Sequence, residues 1–423
     1  MTRIDQPLRI NGMQLRNRLY RAPVLEGAGR SERPAEVYRK HFVPNAASGV
    51  GLIIQGNTII TPEGRTSPGM NSVTDRAFML QMRPMTEAVQ AAGGRVVVQL
   101  GHGGLFALES WHKEFIDAAT QPPSAVSRPP LWLRAAHRGH RVLSTEDVEA
   151  MVQRFGLVAS WAQEAGYDGV QLAGANAKLL HQFLSRSYNR RTDAYGGDLF
   201  GRTRILREIR RAIANTCGPD FPVLLKYTAL EIGPLGGGIT AQDGLRIAQI
   251  AEEAGFDALT PAITSVLPDT SLCRGDWPGA SFDNAKLRRN FEGAHHSRIG
   301  RALVHMGFRL SAWQYPYKAV WNQAVFGAVK EVVSIPVFAV GGIRTPEQAA
   351  RILRNGEADM IGIGRPFYAD PDLASWFLQE GRSESLRCEN CNRCVLPQML
   401  GMPGVCYNPA SNQPRRRKQR AAK

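Results

Sequence analysis

Four closely spaced cysteines and two glycine turns are the residues of this chain best suited to chemistry. Cys388, Cys391, Cys394 and Cys406 follow the spacing C-x2-C-x2-C-x11-C within RCENCNRCVLPQMLGMPGVCYNPA. Four thiolates on one compact loop are enough for a [4Fe-4S] cluster; a structural Zn(Cys)4 site can show similar spacing, and an empty loop is the third reading. Just upstream, IPVFAVGGIRTPEQAARILRNGEADMIGIGRPFYADPD (Ile335 to Asp372) reads as a strand, the pair Gly341-Gly342, a helix opened by Thr345-Pro346, a second strand, and the turn Gly364-Arg365-Pro366. Glycine leaves both turns open, so backbone N–H groups can approach an anion closely. Such a phosphate cup belongs to the loops after the seventh and eighth strands of a (β/α)8 barrel.

That placement demands six earlier strand–helix units, and the chain supplies them. Short apolar runs without alternation, as expected of parallel strands covered on both faces, occur at Leu19 to Val24, Gly51 to Gln55, Val96 to Leu100, Gly169 to Leu172, Val223 to Tyr227 and Ala258 to Pro261. Helical patterns fall at Asp75 to Ala92, Ser144 to Ala165, Leu199 to Ala214, Ala241 to Ala254, Tyr317 to Val332 and Thr345 to Arg354, with capped starts at Ser144 and Thr240. The fold class is therefore α/β, a (β/α)8 TIM barrel over 1–379, followed by a Cys-rich extension over 380–412 and a basic tail over 413–423. Two long connections, His102 to Leu143 and Thr264 to Pro316, are candidate walls of an active site, with surface decoration or a homo-oligomer contact as the alternative.

Composition narrows the function classes. No run reaches the ~18 apolar residues of a membrane span, and MTRIDQPLRINGMQL has no signal-like apolar core, which points to the cytoplasm and to no membrane partner. Four of the six cysteines cluster between Cys388 and Cys406, a poor disulfide framework that suits a reducing compartment. The net charge of +15 is partly a matter of the tail, where Arg415 to Lys423 holds six Lys and Arg. Solvated like-charge tails are common, so nucleic acid is a disfavoured partner and a small molecule the favoured one.

Larger motifs carry a family resemblance. Asn17-Arg18 with Ala22-Pro23, Gly51-Leu-Ile-Ile, Gln99-Leu-Gly-His102-Gly, HQFLSRSYNRRTDAYGGDLFGR (His181 to Arg202), Gly341-Gly-Ile and Gly364-Arg365 together resemble the old yellow enzyme family of FMN-dependent oxidoreductases. The resemblance implies one FMN across the barrel mouth, with its phosphate on Gly341, Gly342, Gly364 and Arg365. Gln99 would hold the pyrimidine edge of the flavin, Pro23, Val24 and Gly56 would meet the ring mainly through backbone, and Lys226 would stand near N1 and O2, where charge accumulates on reduction. It further implies hydride transfer from NADH or NADPH, by way of FMN, to an unsaturated carbonyl, a cyclic compound or an amine.

The substrate-facing motif departs from the family pattern. Family members hold the acceptor carbonyl with His and His or Asn, and protonate the neighbouring carbon with Tyr. Aligned on Gln182-Phe183-Leu184, this chain has Ala173, Asn176 and Lys178 at those places, and Leu25 stands where Thr or Cys is usual. Asn176 can still donate to a carbonyl, and Lys178 can add a donor, a proton or an anion site. His102 and His181 read as structural.

The cysteine segment resembles the cluster loop of dienoyl-CoA reductases and trimethylamine dehydrogenases, which implies a [4Fe-4S] cluster. No G-x-G-x-x-G unit follows Cys406, so the electron partner of such a cluster is expected to be another protein. Two rivals remain open at this stage: a non-catalytic or relay flavoprotein, and a flavin-free barrel lyase or isomerase that uses the same cup for its substrate.

Overall fold

A computed structural model describes residues 2–131, 139–233, 237–294, 297–379 and 386–412; the basic tail lies outside the described residues. Eight parallel strands form the frame: β1 (Leu19–Arg21), β2 (Leu52–Ile59), β3 (Arg95–Gly101), β4 (Gly169–Gly174), β5 (Val223–Ile232), β6 (Ala258–Ser265), β7 (Phe338–Val340) and β8 (Met360–Ile363). They lie in the order β6-β5-β4-β3-β2-β1-β8-β7. The two edges meet where Leu259 pairs in parallel with Val337, and the Leu259 N–H donates to Pro336 O at 2.9 Å. The sheet closes on itself, and the expected TIM barrel is present.

Every residue of β2 and β6 is buried, which explains why their sequences are apolar without alternation: both faces of a barrel strand are covered. Inside, Tyr20, Leu52, Ile54, Val97, Leu224, Phe338 and Met360, all near strand starts, pack with Ile10, Met13 and Leu15 of an N-terminal hairpin. That hairpin plugs the end where the strands begin. The opposite end, where they finish, is left for the site.

Outside run α1 (Pro34–Ala47), α2 (Arg83–Ala91), α3 (Thr145–Glu164), α4 (Arg204–Cys217), α5 (Ala241–Glu253), α6 (Gln323–Val332), α7 (Pro346–Arg354) and α8 (Leu373–Leu378). The expected caps form as reciprocal pairs: Ser144 Oγ accepts from Asp147 N, and Asp147 Oδ2 from Ser144 N, with Thr240 and Asp243 repeating the arrangement. Three boundaries differ from expectation. Pro84 cannot donate inside a helix, so the single helix expected over Asp75 to Ala92 is split into Arg76–Leu80 and Arg83–Ala91. The helix expected from Leu199 is interrupted at Thr203, and that expected from Tyr317 begins only at Gln323. In α1, Pro44 sits within the helix and blurs its sequence signal. Among the described residues no helix is long and apolar enough to cross a membrane.

Candidate active site

The strands end on a cavity of about 710 Å³. Both long connections wall it, the first through Phe106 and Trp111, the second through Val266, Leu272 and Phe308, and the Cys-rich segment adds Val395 and Met399.

The turn after β1 is pinned from below. Arg21 and Glu26 form an ion pair at 2.7 Å with side chains 1% and 0% exposed, and burial still raises the Glu26 carboxyl above its usual range. Pro23, Val24 and Leu25 are thereby held at the cavity edge. Gly56, in a bulge of β2, lets that turn approach: a Cβ added there would stand 1.7 Å from the Val24 carbonyl oxygen. This is where glycine is obligatory.

Gln99 at the end of β3 donates from Nε2 to Gln171 Oε1 at 2.8 Å, and Gln171 donates to Thr260 Oγ1 at 3.2 Å. This relay across the barrel interior fixes the Gln99 amide. On β5, Lys226 is only 8% exposed, faces the cavity and has no carboxylate partner among the described residues. Burial lowers its pKa to about 8, opposed only by the nearby Cys273 thiol.

β4 delivers the altered substrate motif through a strained turn. Asn176 and Ala177 adopt φ of 55° and 54°, the left-handed region that costs a non-glycine residue roughly 1–2 kcal/mol. The cause is visible underneath: His181 Nδ1 accepts the Ala177 N–H at 2.8 Å, its Nε2 meets Glu231 Oε1 at 2.8 Å, and Gln182 Nε2 donates to the Ala177 carbonyl at 2.7 Å. The turn points Asn176 and Lys178 into the cavity. Among the described residues the buried Asn176 Oδ1 has no hydrogen-bond partner, and Lys178 Nζ donates to Thr66 Oγ1. Burial lowers the Lys178 ammonium to about 8.

His181 is thus a brace. His102 plays a similar part: its Nδ1 accepts from Gly104 N at 2.9 Å, burial drops its pKa to about 4, and it stands outside the cavity lining. The NRRTDAYGG motif is also a buttress, in which Asn189 Nδ2 ties the Phe183 and Tyr195 carbonyls together and Arg191 pairs with Asp193.

At the ends of β7 and β8, Gly341 and Gly342 have φ of 123° and 78°, and the N–H groups of Gly341, Gly342 and Gly364 make no hydrogen bond among the described residues. The three glycines are partly exposed, so the donors can be reached, but they do not line the large cavity itself. Trp321 packs against the pair, and Arg274 lies 4.2 Å above the Trp321 ring. Arg365 does line the cavity; its guanidinium donates to Asn392 Oδ1 and, at 2.7 Å, to the Arg274 carbonyl. Free backbone donors on the glycine turns, and an ammonium and a fixed amide in the lining of the cavity, are a donor set that fits FMN.

A second, small cavity of about 20 Å³ is ringed by Cys388, Cys391, Cys394 and Cys406, with Arg365 and Tyr368. Burial pushes the Cys394 thiol up to about 12, with Arg365 acting against it. Among the described residues no three His, Cys, Asp or Glu side chains converge as a site for one metal ion. Asn390 and Asn392, at φ of 57° and 54°, dock this loop on the segment after β6: Asp276 N donates to Asn390 O, and Asn392 Nδ2 to Asp276 O.

A family model for the NADH:flavin oxidoreductase / NADH oxidase family matches residues 3–260 and 289–384. The chain belongs to this family. It is 27% identical to the NADH oxidase of Thermoanaerobacter brockii, covering 97% of this chain and 58% of that protein, and 29% identical to a metal reductase of Desulforamulus reducens, covering 96% and 53%. It therefore spans little more than half the length of these curated relatives. Histamine dehydrogenase from Rhizobium sp. 4-9 shares the fold at a TM-score of 0.74 and 23% identity, over 95% of this chain and 51% of the other.

Sequence reasoning missed Thr66, Cys273, Arg274 and Trp321. Cys273 was visible as an isolated cysteine, but nothing local marks the other three, which reach the site across the fold.

Proposed function

We infer that this chain is an FMN-dependent oxidoreductase of the old yellow enzyme type, moving hydride between NAD(P)H and an electron-poor organic acceptor. Family membership supports the class. The observation that carries the reading is Lys226, an almost fully buried ammonium with no carboxylate partner among the described residues, in the lining of the cavity that Gln99 also lines. Folding has set aside a cation for something that becomes negative.

When bound, FMN would accept hydride from the nicotinamide and return it to the acceptor. The chain supplies everything else. Lys226 stabilises negative charge, Gln99 orients the ring edge, and the backbone of Pro23, Val24 and Gly56 supports the ring. Gly341, Gly342, Gly364 and Arg365 would take the phosphate through N–H donors and the guanidinium. Asn176 and Lys178 hold the acceptor, and Lys178, poised near neutrality, can supply the proton that accompanies hydride. Apolar walls keep water from competing.

For the four cysteines, a [4Fe-4S] cluster is the assignment we favour over zinc. The four thiols ring one small cavity, and the spacing C-x2-C-x2-C-x11-C supplies the four ligands such a cluster takes. The position of Arg365 in the walls of both cavities supports an electron relay as the second reading, in which a partner protein exchanges single electrons with the cluster. An anaerobic absorbance spectrum with flavin, iron and sulfide analysis tests both centres. Stopped-flow reduction then separates the readings: fast reduction by NADH or NADPH supports the hydride enzyme, whereas slow reduction by both with fast reduction by a ferredoxin-like donor supports the relay. Protein that neither carries nor takes up FMN would overturn both.

A further inference from the structure

We propose that the acceptor is an apolar organic acid, its carboxylate paired with the Lys178 ammonium and its carbon skeleton laid against Phe106, Trp111, Val266 and Phe308. The proposal rests on the flavin reading for the role of Lys226 and narrows the acceptor that shares its cavity.

Among the described residues four charged side chains line the cavity: Lys178, Lys226, Asp269 and Arg365. Three have other employment. Arg365 is bonded to Asn392 and to the Arg274 carbonyl. Asp269 Oδ1 caps the short helix after β6 by accepting from Ser271 N at 2.8 Å, and its field falls on Tyr315 and Arg274. Lys226 stands with Gln99 at the flavin end. Lys178 alone is left to meet the acceptor's own charge, and pairing with a carboxylate there replaces the proton-donor role open to it with a neutral acceptor.

The only hydrogen-bond partner of its ammonium among the described residues is the Thr66 hydroxyl, and no carboxylate among them pairs with it. An ammonium has three donors, so two are left to face the cavity. Sinking a lysine beside Thr66 with no acid nearby is costly unless a ligand brings the anion. Asn176, two residues away on the strained turn, adds an amide donor to the same corner.

The rest of the lining decides which anion. Phe106, Trp111, Leu272, Val304 and Phe308 offer apolar surface, so the ligand's body is hydrocarbon or aromatic. A phosphate dianion would need more than one free ammonium in such surroundings, whereas a carboxylate monoanion is matched by one. A cationic amine would meet like charge at Lys178, which argues against the amine class of acceptor or donor.

Trp111 in the cavity wall provides a readout independent of turnover. 3-Phenylpropanoate has no double bond to reduce, so it reports binding alone; its amide and phenethylamine differ from it mainly in head-group charge. Titrated into the protein as purified, with tryptophan fluorescence recorded and a Trp111→Phe control, the acid is expected to bind roughly tenfold or more tightly than the amide, the range of a charge-assisted hydrogen bond, and the amine to bind most weakly. Lys178→Met removes the preference and Lys178→Arg retains it; Lys178→Gln is the polar alternative should Met disturb folding. In the wild type the preference fades at alkaline pH as the ammonium loses its proton. Equal binding of acid and amide, or a preference that survives in Lys178→Met and Lys178→Gln, overturns the proposal. Flavin content is measured separately on the same samples, so protein without flavin counts against the oxidoreductase reading while the fluorescence result still decides this one.

Discussion

Replacing Lys226 with methionine should make the flavin-free protein more stable and the flavin-bound protein worse. Burial takes the Lys226 ammonium from the ordinary 10.5 to about 8, and at 1.36 kcal/mol per pKa unit the folded state at neutral pH bears roughly 3 kcal/mol for keeping it charged. Between about pH 8 and about pH 10.5 the unfolded chain binds a proton that the folded chain does not, so stability rises with pH across that window. The burden is fully present below the folded value and gone above the unfolded one. From about pH 7 to about pH 9.5 the lysine alone should contribute a gain of roughly 2 kcal/mol in wild-type protein stripped of flavin. Lys226→Met lacks that gain and starts higher, leaving Lys178 as a source of similar pH dependence. Urea unfolding at the two pH values, followed by tryptophan fluorescence, measures the difference. FMN titration should show the opposite order, with binding weakened roughly 10- to 100-fold by loss of a charged donor. A variant no more stable than wild type at pH 7 without flavin, or one that binds FMN equally well, would refute the idea that this lysine is held in reserve for an anion.

Other changes probe separate parts of the same site. Gly56→Ala drives a methyl into the Val24 carbonyl and should cost several kcal/mol by overpacking, visible as a lower melting temperature and reduced flavin content. Ala177→Gly relieves a left-handed alanine and should stabilise the protein by about 1 kcal/mol in thermal melts, while turnover falls because Asn176 and Lys178 are less firmly aimed. Cys391→Ser should deplete iron and sulfide but leave FMN in place; if both centres are lost together, the cysteine loop is needed for the barrel mouth to form.

The barrel was legible because its signal is local. Strands covered on both faces appear as apolar runs, and the glycine turns after Val340 and Ile363 stand out for the freedom they require. The two long connections were also readable as candidate cavity walls, since barrel chemistry gathers on the loops that follow the strands. What escaped was chemistry assembled across distance. Thr66 and Lys178 meet across 112 positions of sequence, and no local pattern in either segment announces the other. The left-handed turn at Asn176-Ala177 was hidden for a different reason: alanine carries no turn signature, and the geometry is imposed by His181 and Gln182 beneath it. Arg365 was expected at the phosphate from its place after Gly364, and its bonds to Asn392 and the Arg274 carbonyl depend on segments distant from it in the chain.

Arg365 stands in the partition between the larger chamber and the thiol-ringed one, and the loop that fastens it belongs to the smaller. Arg365 is common to the walls of both compartments. Any change of charge in one is felt next door without conformational relay, and neither room can be remodelled while the other is left as it was.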